Sequence, residues 1–166
     1  MEIIDGKDDT TRLIEAIEKQ NKIRVSQLFK TPEKPVVDNC VAVMMPFKKD
    51  FDDVYDTIKE ACNNVDMICH RSDDFWNDSV IINDIFELIY RSSIVIVDFS
   101  GKNENVFYEA GIAHTLGKKV IPITQNINDI PFDLRHHRHL EYLANKEGLN
   151  KLRGDLEGKL AKSNKK

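Results

Sequence analysis

The sequence has few cysteines, no long hydrophobic run and no excess of positive charge. Its three cysteines, Cys40, Cys62 and Cys69, show no CxxC spacing, so neither a disulfide framework nor a zinc ribbon is indicated, and buried apolar thiols are expected. No segment approaches the roughly 20 apolar residues that span a bilayer. The polar start MEIIDGKDDT lacks the features of a signal peptide, and we therefore expect a cytoplasmic protein without a membrane segment.

The charge balance and the glycine pattern argue against two further classes of protein. With 24 Lys and Arg against 28 Asp and Glu, the net charge of -4 gives no general attraction to a polyanion, and direct binding of nucleic acid is not expected. Neither GxxxxGK[ST] nor GxGxxG occurs, so a phosphate loop and a dinucleotide fingerprint are unsupported. What remains is a chain of 166 residues, 41% of them hydrophobic, with the composition of one globular domain.

The first 35 residues differ in pattern from the rest. Leu13, Ile14 and Ile17 have helical spacing and predict a helix over 9–21, whereas 23–29 fit either a strand or a second short helix. The breaker TPEKP follows, and the appendage could pack on the main domain or on a second subunit. The resulting domain assignment is an N-terminal helical appendage at 1–35, a main domain at 36–162 and a frayed tail at 163–166.

From residue 39 onward, short apolar runs alternate with segments of helical spacing. Strands are predicted in CVAVMMPF, VDMICH, SIVIVDF, KKVIPIT and HLEYL, and helices in FDDVYDTIKEACNN, at 78–91, at 105–117 and, with a polar composition, at 145–161. Gly117 and Lys118 indicate a helix C-cap. The alternation predicts an α/β, flavodoxin-like, three-layer domain with a central five-stranded parallel sheet.

Polar and aromatic side chains are concentrated where the predicted strands end. In an open parallel sheet, ligands bind outside the carboxyl ends of the strands, where the strand order reverses. The segments that reach this edge are Met45-Pro46-Phe47, His70 to Asp74, Asp98 to Gly101 and Thr124 to Asn126. Five aromatic residues near this edge either stack on a ligand ring or pack in the core, namely Phe47, Phe75, Trp76, Phe107 and Tyr108.

Glu109 is the first candidate catalytic residue. The periodicity places it in the opening turn of the predicted helix 105–117, on a stripe shared with Val106 and Ala113. Near a helix N-terminus the macrodipole favours an ionised carboxylate, which can attack or stabilise a carbon that becomes positively charged, such as a glycosidic carbon. The alternative is that Glu109 only complements the helix dipole.

Two further acids and one histidine-rich cluster each allow more than one interpretation. Asp84 lies among apolar residues of the predicted helix 78–91 and would serve a leaving base if partly buried, or else is an exposed acid. Asp98 ends a strand and fits either a contact to a ligand hydroxyl or a turn cap. The cluster RHHRHLEY shows no metal-ligand spacing, and phosphate contact or a subunit interface is expected instead.

Two motifs carry a family resemblance. The segment SSIVIVDFSGKNENVFYEAGIAHTLGKKVIPIT contains an E-x-G-x-A-x-x-x-G-K pattern, formed by Glu109, Gly111, Ala113, Gly117 and Lys118. The preceding helix contains Asn83-Asp84-Ile85, in an N-D-[LI] context. With these motifs the block from about residue 40 to 142 resembles the nucleoside 2-deoxyribosyltransferase-like group, which is related in fold to bacterial TIR domains.

The resemblance implies roles for three residues. In that family the helix glutamate attacks the sugar C1′ and forms a covalent ribosyl-enzyme, a role that falls on Glu109. The aspartate matched by Asp84 contacts the departing base. The family often has a second aspartate six residues before the glutamate, where this chain has Asn103. That departure favours a hydrolase, or a nucleotide or NAD substrate, over efficient transfer between bases, and TIR-type enzymes also use a glutamate to cleave the nicotinamide glycosidic bond.

The implied activity is that of an N-glycosidase that cleaves or exchanges the base–sugar bond of a nucleoside, nucleotide or NAD-like small molecule. Asp98 would contact sugar hydroxyls and Arg71 a phosphate. Further substrate contacts are expected from Met45, Pro46, Phe47, Ser100, Asn103 and Asn105. No metal or separate cofactor is required, and homo-oligomers are common among related enzymes.

Two other functions compete with this interpretation. A non-enzymatic nucleotide sensor or TIR-like signalling module is favoured by the departure at Asn103, and similar domains occur in bacterial anti-phage defence. A phosphoacceptor receiver-like domain would use Asp98, but it lacks the acidic pair after the first strand, where Met44-Met45-Pro46 stands.

Overall fold

The computed structural model describes residues 10–11, 28–30, 32–71 and 82–164. The chain divides into two compact units, Met1–Lys30 and Thr31–Lys166. The predicted helix at 9–21 and the undecided segment at 23–29 lie almost entirely outside the described residues. The second unit contains all the elements that follow.

The second unit is an α/β domain whose strands and helices alternate along the chain. Its strands are β1 (Val37–Met44), β2 (Ile68–Arg71), β3 (Ser92–Asp98), β4 (Lys119–Thr124) and β5 (Leu140–Glu141). Its described α-helices are α1 (Asp52–Asn63), α2 (Ile82–Arg91), α3 (Glu104–Thr115) and α4 (Lys146–Asn164). The sheet order is β2-β1-β3-β4-β5, and every neighbouring pair is parallel. This order confirms the predicted flavodoxin-like fold with a five-stranded parallel sheet.

The central strand β3 has a continuous apolar run, Ile94 to Val97, because both of its faces are covered. Ile94 and Ile96 point into a core shared with α1 and α4, whereas Val95 and Val97 point into a second core shared with α2 and α3. Successive side chains of a strand alternate between faces, so a strand buried on both sides has a continuous β-branched run. Helices therefore lie on both faces of the sheet, as the sequence predicts.

Helix α4 has the predicted polar composition but runs past the predicted end at 161, and it carries an apolar stripe. Leu149, Leu152, Leu156 and Leu160 recur every three or four residues, and the last three are fully buried in the core on the α1 side. Each buried leucine contributes roughly 2 kcal/mol relative to an exposed one. The helix continues to Asn164, into the segment predicted to fray. None of the described helices has the length and apolarity needed to cross a membrane.

The strand order reverses between β1 and β3, which lie side by side at the centre of the sheet. The connection after β1 leads to α1 and β2 on one side, and the connection after β3 leads to α3 and β4 on the other. A crevice therefore opens between the segments that follow these two strands. The candidate site lies there, at the beginning of α3.

Candidate functional site

A buried hydrogen-bond network fixes the turn after β3. Asp98 has no exposed surface, and its Oδ1 accepts hydrogen bonds from the backbone N–H of Ser100 at 2.9 Å and from the Ser100 hydroxyl at 2.6 Å. Its Oδ2 accepts one from the Tyr142 hydroxyl at 2.6 Å. The Gln125 N–H in turn donates to Ser100 Oγ at 2.8 Å, and its side-chain amide donates to the Tyr142 hydroxyl at 3.1 Å. The network joins the carboxyl ends of β3, β4 and β5.

This network corrects two of the expected substrate contacts. Burial raises the pKa of Asp98, and the hydrogen bonds from Ser100 and Tyr142 oppose that rise. Asp98 and Ser100 bond each other and their neighbours, and neither is among the described residues that line the cavity beside Glu109. The turn-cap alternative for Asp98 is therefore the one that the structure has. The same burial argues against Asp98 as a phosphoacceptor.

Asn103 is the N-cap of α3. Its side-chain oxygen accepts hydrogen bonds from the N–H groups of Asn105 at 3.0 Å and Val106 at 3.2 Å. The turn before it passes through Gly101, whose φ of 74° suits glycine and whose N–H donates to Asp129 Oδ2 at 2.8 Å. Asn103 was expected to contact substrate, but here its side chain holds the helix start, a role that Asp and Asn perform about equally well.

Glu109 lies in the second turn of α3, not in the opening turn, because the helix begins at Glu104. Its side chain is only 4% exposed. Burial raises the pKa of the Glu109 carboxyl from its ordinary value of 4.5 to about 7. The expectation that the helix dipole holds this group ionised is therefore wrong, because the dipole acts mainly over the first turn and desolvation dominates here.

Glu109 borders a cavity of about 240 Å³ at the carboxyl edge of the sheet. Its described lining comes from the segment after β1, from α2 and from α3, namely Phe47, Ile82, Ile85, Asn105, Tyr108 and Glu109. Phe47 and Tyr108 are 49% and 50% exposed, so part of each side chain is accessible. Among these lining residues Glu109 has the only carboxyl group. We refer to this space as the Glu109 cavity.

Asp84 is not among the residues that line the Glu109 cavity. It lies on another face of α2 and borders a separate cavity of about 430 Å³. The other described residues around that cavity are Val37, Asn39, Cys40, Ile68, His70, Glu87, Leu88 and Arg91. The two predicted catalytic carboxylates therefore border different cavities, and Ile82 and Ile85 are the described α2 residues that line the cavity of Glu109.

Arg71 supports the cavity wall and does not line it. Its guanidinium lies 4.4 Å from the Tyr55 ring centre and 5.6 Å from that of Phe47, and its Nη2 is 3.9 Å from Asp52 Oδ1. Such stacking orients a planar cation and an aromatic ring together. Its backbone N–H donates to the Tyr55 hydroxyl at 3.0 Å. Arg71 was expected to contact a phosphate, but here its guanidinium stacks on Phe47 and Tyr55.

The remaining expected contacts divide into three groups. Met45 and Pro46, which precede Phe47 in the sequence, are both buried, and Met45 belongs to the core. Phe107 packs against Phe99 with ring centres 5.7 Å apart, so core packing is its role. Phe75 and Trp76, with 72–74, lie outside the described residues. Of the predicted positions, Phe47, Asn105, Tyr108 and Glu109 meet at one cavity.

Sequence reasoning missed Ile82 as part of this wall. Ile82 and Ile85 are separated by one helical turn, and this spacing was the available signal. The rings of His136 and His137 lie 4.3 Å apart, and the described residues contain no group of three metal-ligating side chains.

Comparisons with known proteins give matches in structure alone. No family model and no curated protein matches the chain. A 2-deoxyribosyltransferase from Leishmania mexicana superposes with a TM-score of 0.50 at 16% identity, covering 70% of this chain and 97% of that one. The TIR domain of a Toll-related receptor from Hydra magnipapillata gives 0.52 at 18% identity, covering 72% and 98%.

A third match is longer than this chain. A metazoan TIR-STING receptor from C. gigas, solved in complex with 2′,3′-cGAMP, gives a TM-score of 0.58 at 17% identity, covering 79% of this chain but 41% of the receptor. At these identities the comparison concerns the fold. The chain has the α/β fold that a deoxyribosyltransferase and TIR domains share, which agrees with the superfamily that its motifs resemble.

Proposed function

We propose that the protein is an N-glycosidase that acts on a nucleoside, nucleotide or NAD-like molecule, with Glu109 as nucleophile. The observation that carries the proposal is a single buried carboxyl group at the wall of an open cavity, at the strand-order reversal of the sheet. Buried titratable groups with shifted pKa values at such an edge are typical of catalytic sites.

The chemistry needs one carboxylate in two steps. In the first, an ionised Glu109 oxygen forms a bond to C1′ while the C1′–N bond breaks, and the base leaves with the electron pair of that bond. In the second, water attacks C1′, the ester bond to Glu109 breaks, and the carboxylate is restored while a proton goes to solvent. If a second base replaces water, the same steps give transfer.

The lining of the Glu109 cavity supports a particular kind of leaving group. A neutral base gains from protonation as it leaves, whereas a base that is cationic in the substrate leaves as a neutral molecule without an added proton. Glu109 carries the one carboxyl group among the described lining residues, and a positively charged base such as nicotinamide needs no second acid to leave. Phe47 and Tyr108 offer faces on which a flat ring stacks, and the Asn105 amide can bond a sugar hydroxyl.

The test is a substrate panel of NAD, nucleoside monophosphates, deoxynucleoside monophosphates and free nucleosides, with free base measured by chromatography. Base release by the unaltered chain and its loss in Glu109→Gln support the proposal. Glu104→Gln is the matched control because Glu104 is an exposed acid on the first turn of the same helix. Equal release from both variants would contradict it.

A nucleotide sensor is the second candidate, and the isolated carboxyl group favours it. Without a neighbouring acid in the described lining, the cavity can bind a ligand and leave its glycosidic bond intact. In that case a ligand raises the melting temperature and no base is released. The same panel, extended with 2′,3′-cGAMP, separates the two functions. Assembly into a homo-oligomer and action in the cytoplasm stay predictions.

A further inference from the structure

A third cavity, of about 460 Å³, lies on the opposite side of α3 from Glu109. Its described lining residues are Phe99, His114, Lys118, Val120, Pro122, Leu134, His137 and Arg138, and we name it the basic cavity. Phe99, Val120, Pro122 and Leu134 form an apolar floor from β3, β4 and the connection to β5. Two histidines and an arginine form its rim.

The rim brings basic side chains together on an acidic chain. The chain has a net charge of -4, yet none of the described residues that line the basic cavity is acidic. Arg138 and His137 are exposed, and no described residue forms an ion pair or a side-chain hydrogen bond with Arg138. Its five N–H donors are therefore available to a ligand, and a guanidinium matches the geometry of a phosphate group.

Lys118 contributes to the cavity in a different way. Its ammonium donates to the backbone oxygens of Ser92, at 2.9 Å, and of Tyr90, so its charge is already engaged. Only its aliphatic stem is left to line the cavity. The cations available to a ligand are therefore Arg138 and, when protonated, His114 and His137.

The segment that carries the rim is held in place by its own hydrogen bonds. Arg135 donates from Nε to the Ile130 oxygen at 3.0 Å and from Nη2 to the Asn128 oxygen at 3.2 Å. The His137 N–H donates to the Leu134 oxygen at 3.0 Å. These bonds fix the backbone just before Arg138, so the rim is positioned in advance of any ligand, which lowers the entropic cost of binding.

His114 lies close enough to His137 to be affected by its charge. Burial, and the nearby charge of His137, lower the pKa of His114. A phosphate dianion beside His114 would oppose both effects by favouring the protonated ring, and it would accept the N–H bond of that ring.

We propose that the basic cavity binds a small organic phosphate of nucleotide size, whose phosphate contacts Arg138, His114 and His137 and whose organic part rests on the floor of Phe99, Val120, Pro122 and Leu134. The volume lies within the usual range for small-molecule sites. Among the described residues, none lines both the basic cavity and the Glu109 cavity. The inference is therefore independent of the proposed glycosidase.

The experiment uses ADP, inorganic phosphate and adenosine as probes on the full chain. Calorimetry measures affinity, and histidine-ring NMR signals report where the probe lies. We expect ADP to shift the His114 and His137 signals, phosphate to bind more weakly than ADP because it lacks a ring, and adenosine not to bind there. The double variant His137→Gln/Arg138→Gln should weaken ADP binding at least about fivefold through the loss of charge-assisted hydrogen bonds.

The matched control is Lys151→Gln/Lys162→Gln, which removes two exposed cations from α4 and should leave ADP affinity unchanged. Both double variants change exposed side chains, and circular dichroism checks that they fold. The proposal is overturned if ADP binds the rim variant as well as the unaltered chain, or if adenosine or phosphate binds as tightly as ADP. Binding that survives in the rim variant but is lost in Tyr108→Ala would assign ADP to the Glu109 cavity and also contradict the inference.

Discussion

Burial and the helix dipole act on Glu109 in opposite directions, and burial is the stronger effect. The dipole favours the ionised form by less than about 1 kcal/mol and mostly within the first turn. A rise in pKa from 4.5 to about 7 corresponds to roughly 3 kcal/mol against the ionised form. Near neutral pH the Glu109 carboxyl is therefore divided between its two forms, and a nucleophile in this position becomes more active as the pH rises.

The same shift predicts a pH-dependent stability. The Glu109 carboxyl ionises near 4.5 in the unfolded chain and near 7 in the folded one, so between these values the folded state holds more protons. The free energy of unfolding should therefore fall as the pH rises through this interval. Urea unfolding should show that the unaltered chain loses up to about 3 kcal/mol more than Glu109→Gln between about pH 5 and about pH 8. Parallel pH profiles of the two proteins would contradict the burial of this group.

The Asp98 network gives a second prediction for a single residue. Tyr142→Phe removes the donor to Asp98 Oδ2 and leaves a buried carboxylate oxygen without that hydrogen bond. The free energy of unfolding should fall by about 1–3 kcal/mol, as measured by urea unfolding. Tyr108→Phe, at a half-exposed ring, is the control and should change it by only a few tenths of a kcal/mol. If Tyr142→Phe left the free energy of unfolding unchanged, the network would contribute little to the stability of the fold.

At the scale of the element, the boundaries of α3 follow from its caps. The predicted C-cap is confirmed, because the Gly117 N–H donates to the His114 oxygen and the Lys118 N–H to the Ala113 oxygen, both at 3.0 Å, with Gly117 at a φ of 66°. The predicted start at 105 is one residue from the observed start at Glu104, and the sequence alone does not select one cap among the candidates in SGKNEN. Selecting Asn103 as the cap puts Glu109 in the second turn.

The N-cap can be tested by a pair of substitutions. Asn103→Ala should lower the free energy of unfolding by about 1 kcal/mol, because two N–H groups at the start of α3 lose their acceptor. Asn103→Asp should keep the stability, since both side chains cap helices well. Thermal unfolding measures both variants. A larger loss in Asn103→Asp than in Asn103→Ala would show that this residue does not act as a cap.

Helix α2 shows what periodicity alone cannot decide. Asp84, Ile82 and Ile85 all lie in one apolar pattern, and only the packing against α3 selects which of them reaches the Glu109 cavity. Likewise the leucines of α4 have helical spacing in the sequence, but the many charged residues between them made the helix look polar. Local spacing thus predicted which elements form, whereas tertiary contacts decide which faces they bury.

Asp84 gives the test at this scale. Because it borders a different cavity, Asp84→Asn should keep base release within about threefold of the unaltered chain, a change of less than 1 kcal/mol in the activation barrier. Initial rates of base release at saturating substrate measure this. A loss as large as that in Glu109→Gln would show that Asp84 reaches the reacting bond.

At the scale of the whole molecule, the strand order and the location of the crevice were predictable because few topologies satisfy alternating strands and helices. The buried state of Asp98 was not predictable, since its partner Tyr142 lies 44 residues away in the chain. The fold shared with a deoxyribosyltransferase and TIR domains fits the sequence motifs. Fold similarity does not decide activity, which depends on the site itself.

The rate of base release as a function of pH, measured for the unaltered chain, Glu109→Gln and Glu104→Gln, tests the central claim most directly. A nucleophile with a pKa of about 7 predicts that release by the unaltered chain rises through that pH and then levels off. Glu109→Gln should lower release at least about a thousandfold, and Glu104→Gln should not. A rate that does not change with pH, or equal rates in the two variants, would contradict nucleophilic catalysis by Glu109.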